Sequence, residues 1–383
     1  MNNPQTLNTK LDSLVIFRSL LDDPVISKLR DLLSREDVPT YSAFAAELFA
    51  RTICLTAYLT DLILSTEPLK NFPDGCLEHE LEILRRVATL AAAEVREHIA
   101  YDGYLPAWET SPLDLAAAYA ERVRNRSHFG FGIYARHHMF TLRDKKITPV
   151  LSPDETKLSD FTDYAALRQV VVANTRRLLN GGDAANILLY GDAGTGKSST
   201  VKAVANEFKD EGLRLIEVPK KNILDLPLVA EELRDNPLKF ILFIDDLSFF
   251  KENEEIGALK AMLEGSVTAR TRNVVVYATS NRRHLVRETF SERDGDDIHR
   301  NETMQELISL SDRFGISVYF PKPDKDEYLR IVRALIEQCG GASVSDEELE
   351  IRAERFALER GGRSPRTAKQ FALEFCFYNE FIK

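Results

Sequence analysis

The chain has 383 residues, enough for two or three domains that each bury a core. Hydrophobic residues make up 44% and charged residues 29%, the balance of an ordinary globular protein. A net charge of −10 argues against a protein whose main business is coating nucleic acid.

The opening "MNNPQTLNTKLDSL" lacks the basic and apolar regions of a signal peptide. Up to about residue 150 the apolar residues recur at helical spacing, in "LDSLVIFRSLLDDPVISKLRDLLS", "YSAFAAELFARTICLTAYLTDLILS", "LEHELEILRRVATLAAAEVREHIA" and "PLDLAAAYAERVRNR". The most apolar of these is closed by Arg51 and broken by Asp61, too short to span a bilayer. No membrane contact is expected, and a cytoplasmic location is. Cys54, Cys76, Cys339 and Cys376 form no C-x-x-C pair and read as buried thiols in a reducing compartment.

Residues 121–140 interleave Arg122, Arg124, Arg126 and Arg136 with Phe129, Phe131 and Tyr134. Such a mixture can stack bases and neutralise phosphates, or its aromatics can pack on the helical domain while its arginines stay solvated. The acidic balance favours packing, so nucleic acid is not a favoured partner. The adjacent His137 and His138 have no partner ligands at metal spacing. "LRDKKITPVLSPDETKLSD" is charged and proline-containing, and reads as a linker.

Beyond it, β-rich runs alternate with amphipathic helices: "NILLYG", "LRLIEV", "KFILFID", "NVVVYATS" and "GISVYF". That alternation predicts an α/β core with a five-stranded parallel sheet. From Pro321 onward three helices finish the chain. The expected domains are 1–150, all helical; 151–321, the αβα core; and 322–383, a helical lid.

"GDAGTGKS", Gly191 to Ser198, satisfies G-x-x-x-x-G-K-[ST] and sits between a predicted strand and a predicted helix. Backbone amides of Gly191, Asp192, Ala193, Gly194, Thr195, Gly196 and the following Ser199 would curl around phosphates, aided by the helix N-terminus. Lys197 would reach the β- and γ-phosphates, and the Ser198 hydroxyl would ligate Mg²⁺. Asp245, at the end of "KFILFID", is the expected second magnesium ligand. The adjacent Asp246 would face the crevice, where a carboxylate can polarise an attacking water. No N-K-x-D guanine motif is present, which disfavours a GTPase. Asn281 ends "NVVVYATSN" where it can align that water. Arg313 of "SLSDRFG" lies at a rim within reach of a neighbouring subunit. Arg363 and Arg366 of "GGRSPRTAKQF" compete for a lid role, and Arg366 is preferred because Ser364 and Pro365 read as N-cap and first helical residue.

Over roughly residues 155–383 these motifs resemble the AAA+ ATPases, and most closely a bacterial AAA+ family of unassigned function with a helical N-terminal region. The resemblance implies ATP and Mg²⁺ as cofactors, Asn281 as sensor 1, Arg313 as an arginine finger given in trans, and Arg366 as sensor 2. It also implies an adenine site around Phe161 and Tyr164. An ATP-promoted homo-oligomer and a protein client met by the helical domain follow from it. Asp246 departs from the pattern, since most AAA+ motors carry glutamate there. Slow, assembly- or partner-stimulated hydrolysis is therefore expected. The alternative is an ATP-gated loader with negligible turnover, acting on a DNA-associated partner. The charge-dense run 282–308 reads as a solvated loop or a contact to a neighbour.

Overall fold

The computed structural model describes residues 4–67, 71–247, 253–264, 272–281, 312–340 and 345–381. The run 282–308 lies outside them. The chain divides into two compact units, Met1–Arg136 and His137–Lys383.

The first unit is helical. Its longer helices are α1 (Pro4–Asp12), α2 (Pro24–Arg35), α3 (Val38–Phe49), α4 (Leu55–Ser65), α5 (Cys76–Ala88), α6 (Ala92–Arg96) and α7 (Leu115–Arg124), followed by single turns α8 (Arg126–Phe129) and α9 (Ile133–Arg136). Each long apolar stretch of the sequence breaks into shorter pieces. Asp23 caps α2 through the amides of Val25 and Ile26, with Pro24 at the first helical position. Trp108 joins the core edge-to-face on Phe44, its ring 4.8 Å away, and donates its indole N–H to the Leu90 carbonyl at 2.8 Å.

Glu80 of α5 is 2% exposed. Its carboxylate accepts the backbone amides of Val15 (2.8 Å), Ile16 (3.1 Å) and Phe17 (3.1 Å) beyond α1. A buried carboxylate here substitutes for the hydrogen bonds that the irregular segment cannot make to itself. Glu80→Ala is expected to destabilise this unit by about 3 kcal/mol, because the amides of Ile16 and Phe17 lose their acceptor in a dry core. Urea unfolding followed by Trp108 fluorescence measures it.

In the second unit β1 (Met139–Arg143), β2 (Lys146–Pro149), β3 (Ile187–Gly191), β4 (Leu213–Glu217), β5 (Lys239–Ile244), β6 (Val274–Ser280) and β7 (Ile316–Phe320) form one seven-stranded sheet in the order β2-β1-β4-β5-β6-β3-β7. The five expected parallel strands are β3 to β7. The expected count is corrected by β1, parallel to β4, and β2, antiparallel to β1. The segment read as a linker thus begins as a hairpin. Its two-residue turn, Asp144–Lys145, has φ of 48° and 62°, the left-handed pair of a type I′ turn. The strands are only five and four residues long, and of the two only β1 carries buried apolar side chains, Met139, Phe140 and Leu142. The first unit consequently ends ahead of residue 150.

β6 is buried at every position and β5 at all but Lys239, so neither shows the alternation of a one-sided sheet. Around the sheet lie α10 (Ala165–Leu179), α11 (Lys197–Glu207), α12 (Leu226–Leu233) and α13 (Asn253–Glu264); the chain ends in α14 (Lys325–Gln338), α15 (Asp346–Glu359) and α16 (Pro365–Phe381). Those last three pack around Tyr328, Val332, Ala353, Ala368, Phe371 and Phe375. The chain leaves β3, passes over two strand positions to β4, returns through β5 and β6, and finishes with β7 on the far side. The strand ends beside β3 are where an open parallel sheet leaves a crevice.

The cysteines depart from expectation. None of the four forms a disulfide, but Cys54, Cys76 and Cys376 are half-buried and Cys339 is exposed. No helix among the described residues is long and apolar enough to cross a membrane.

Candidate functional site

The glycine-rich loop bridges β3 and α11. Gly191 has φ 132°, and a Cβ there would stand 2.1 Å from the Phe320 carbonyl oxygen of β7. The next amide, Asp192, donates to that same oxygen at 3.2 Å. The loop is therefore tied to the end of β7, and only glycine fits its first position. Gly191→Ala is expected to remove nucleotide binding by pushing the loop off β7, read by calorimetric titration with ATP. Gly196, φ 87°, turns the chain into α11. Ala193 is exposed at the loop tip, while Ser199 lies half-buried in the first turn of α11. The Thr195 hydroxyl donates to the Asp192 carbonyl at 2.9 Å.

Lys197 is 4% exposed, and its ammonium donates to the carbonyls of Gly191 (3.1 Å) and Asp192 (2.6 Å). Burial pulls its pKa down to about 8, against the opposing pull of Asp192, Asp245 and Asp246. A desolvated cation at the mouth of a loop of amides is a seat for an anion.

A line of polar contacts runs from this loop across the sheet. The Ser198 hydroxyl donates to Asp245 Oδ1 at 2.6 Å, and the Thr279 hydroxyl donates to the same oxygen at 2.7 Å. Strand register explains this meeting. Ile244 pairs with Ala278, so the residues just beyond, Asp245 and Thr279, stand side by side. The Asp246 amide then donates to Thr279 Oγ1 at 2.8 Å. Asp246 itself has φ 55°, a left-handed conformation uncommon outside glycine and asparagine-like residues. That twist turns its carboxylate toward Asn281, whose Nδ2 donates to Asp246 Oδ1 at 3.2 Å, while Lys220 Nζ stands 3.5 Å from Oδ2. Ser198, Asp245, Asp246 and Asn281 are thus assembled at one place.

On the other side of the loop, Tyr164 opens α10 with φ 58° and donates its hydroxyl to the Pro321 carbonyl at 2.7 Å, where β7 ends. Its ring meets Phe320 edge-on at 5.7 Å, and burial raises its phenol pKa. Phe161 lies beside Gly196, within 3.8 Å of where a Cβ would stand. Arg363 and Arg366, the two candidates for a lid role, separate cleanly. Arg363 is spent on a two-pronged ion pair with Glu354 at 2.6–3.2 Å, which raises its own pKa. Arg366 lies against the loop: its amide donates to the Gly194 carbonyl at 3.1 Å. Ser364 caps α16 by accepting the Thr367 amide at 3.1 Å.

Arg313 is elsewhere. It occupies the turn before β7, and β7 runs parallel to β3 with Ile316 opposite Ile187. It therefore stands at the opposite end of the strands from Gly191, about 15 Å away along the sheet.

Residues 135–377 match a family described as protein of unknown function (DUF815). The chain belongs to that family. The match takes in the sheet unit and leaves most of the helical unit outside. Over 76 residues the DUF815 chain is 37% identical to Replication factor C subunit 4 of Homo sapiens, 19% of its own length and 21% of that protein's. Among solved structures it is similar to the Thermotoga maritima RuvB Holliday junction branch migration motor (16% identity, 57% of this chain, 63% of that one, TM-score 0.39). It is also similar to the FIGL-1 AAA domain in complex with ADP (19% identity, 59% and 74%, TM-score 0.39). A third is the replication initiator DnaA bound to AMPPCP and single-stranded DNA (17% identity, 58% and 65%, TM-score 0.40). The DUF815 chain has a mostly parallel seven-stranded α/β sheet with the glycine-rich loop between β3 and α11.

Three residues at the site escaped the sequence reading. Thr279 left a faint signal as a small polar residue at the end of a buried strand. Arg168 left a better one, a cation on the stripe Arg168, Val171, Val172, Thr175 that α10 buries. Lys220, in the turn after β4, left none. In residues 121–140 Phe131 and Tyr134 are half-buried and Arg124, Arg126 and Arg136 exposed, whereas Phe129 is exposed and the half-buried Arg122 guanidinium covers its ring at 4.6 Å. His138 bonds Asn206 Oδ1 through Nε2 at 2.8 Å.

Proposed function

We propose that this chain is a Mg²⁺-dependent ATPase that turns over slowly alone and faster on assembly or with a partner. The observation that carries this reading is the unbroken line Ser198–Asp245–Thr279–Asp246–Asn281 beside a P-loop. A phosphate clamp needs only the first two of these residues. A hydrolase needs the last two as well.

The loop amides from Gly191 to Ser199 and the Lys197 ammonium hold the phosphates, with Phe161 and Tyr164 around the adenine. Ser198 and Asp245 fit a magnesium ion, because two hard oxygen donors lie 2.6 Å apart facing the phosphate loop. When bound, the metal neutralises charge on the β- and γ-oxygens. Asp246 takes the proton of the attacking water and Asn281 orients it. Arg366 brings positive charge from the lid, residues 322–383, onto the core, residues 151–321.

Arg313 is too far from its own loop to act in cis, which supports a role on a neighbour's nucleotide and hence an ATP-promoted homo-oligomer. Arg313→Ala should keep ATP binding and lose assembly-stimulated turnover, by roughly a thousandfold if the arginine acts as such fingers do. Light scattering in ATP and in ADP, beside phosphate release, measures both. A strict monomer in both nucleotides, with turnover independent of protein concentration, would refute the trans role. Lys220 supports the runner-up, an ATP-gated loader, because Asp246 must leave that ammonium before it can serve as a base. A cytoplasmic location, and a protein client bound by the helical unit, complete the reading. Nucleic acid is not favoured, given the net charge of −10.

A further inference from the structure

Arg168 projects from α10 toward the phosphate loop and is 6% exposed. Its guanidinium carbon lies 3.9 Å from the Phe161 ring centroid, a stacked cation–π contact. Nε donates to Thr200 Oγ1 at 3.3 Å, and that hydroxyl donates to the Gly196 carbonyl at 2.8 Å. A Cβ on Gly196 would stand 3.7 Å from Arg168 Nη2.

A guanidinium has five N–H donors in a fixed fork. Among the described residues Arg168 uses Nε alone and forms no ion pair. The guanidinium carbon also stands 5.8 Å from the Tyr164 ring centroid, Asp163 acts on it at longer range, and burial pulls its pKa down to about 10. Placing an unpaired cation in a buried position is unfavourable, and a structural role at this spot would be served better by a paired arginine or an apolar residue.

We propose that Arg168 binds the nucleotide's α-phosphate, an inference that rests on the reading of Gly191–Ser199 as a nucleotide loop. The position along the ligand follows from what stands at each end. Ser198, Asp245, Asp246 and Asn281 mark the γ end. Phe161 marks the base end, and Arg168 is stacked on Phe161. Its other neighbour, Thr200, lies further along α11 than the metal-binding Ser198. The fork thus meets a phosphate that ATP and ADP both carry, stays engaged after hydrolysis, and favours retention of ADP.

Calorimetric titration with ADP and with ATP, both with Mg²⁺, tests this on the full chain and on Arg168→Met, Arg168→Gln and Lys197→Ala. Methionine keeps the stem against Phe161, and glutamine keeps a neutral donor. Either variant that melts near the parent suffices. Both nucleotides should weaken by the same factor, roughly ten- to a hundredfold. Parental ADP affinity in the Arg168 variants, with affinity lost in Lys197→Ala, would make Arg168 structural and overturn the proposal while leaving the nucleotide loop intact. A loss confined to ATP would overturn it as well, by moving the contact to the γ end. Parental affinity in Lys197→Ala too would overturn the nucleotide reading itself.

Discussion

Lys197→Ala should weaken ATP binding by at least about a hundredfold without unfolding the protein. On the proposed reading the ammonium is the principal side-chain cation for the phosphates, and two charge-assisted bonds are together worth about 3 kcal/mol or more. Stability should move the other way, or hardly at all. Burial holds the Lys197 pKa near 8, below its ordinary 10.5, so at pH 7 folding pays a desolvation penalty for keeping the proton there. Alanine removes that penalty together with the bonds to the Gly191 and Asp192 carbonyls. Sign and window follow directly. The unfolded chain binds the proton more tightly, so parental stability rises with pH from about 8 toward 10.5, and Lys197→Ala should lack that rise. Calorimetry for ATP and melting curves at pH 7 and pH 9.5 measure both effects. Unchanged ATP affinity would remove the P-loop assignment.

Asp246→Asn should bind ATP within a few-fold of the parent and hydrolyse it at least about a hundredfold more slowly, the usual worth of a general base. The substitution suits the site. Asparagine tolerates the left-handed φ of 55° that Asp246 adopts, and its amide oxygen can still accept from Asn281. What it cannot do is take a proton. With hydrolysis stalled, the variant should stay in the assembled state with ATP. Hydrolysis at the parental rate would make the second aspartate structural.

Much of this was legible before any coordinates. The strands β3 to β6 carry nearly continuous buried runs, β7 buries Val318 and Phe320 in alternation, and a phosphate-binding loop has a local signature because it needs glycines at fixed places. Asp245, Asp246 and Asn281 follow from standing at the ends of such runs. What was hidden is what register and tertiary contact create. Thr279 matters because β5 and β6 align it with Asp245, and no residue near it in sequence says so. Lys220 reaches Asp246 from a turn after a different strand. The β1–β2 hairpin was missed because an edge pair held by backbone bonds and a two-residue turn needs little apolar patterning. The capping residues favoured Arg366 over Arg363, but the ion pair that occupies Arg363 was hidden, because its partner Glu354 is brought to it by the packing of α15 on the turn before α16.

The central claim is that the doubled aspartate makes a hydrolase and not only a clamp. Phosphate release from ATP and Mg²⁺, measured on the parent protein across a range of protein concentrations, tests it most directly. The expected result is a low rate per subunit at high dilution that climbs as the chain assembles, and that disappears in Asp246→Asn. An assembled parent that holds ATP and releases no phosphate at any concentration would contradict it.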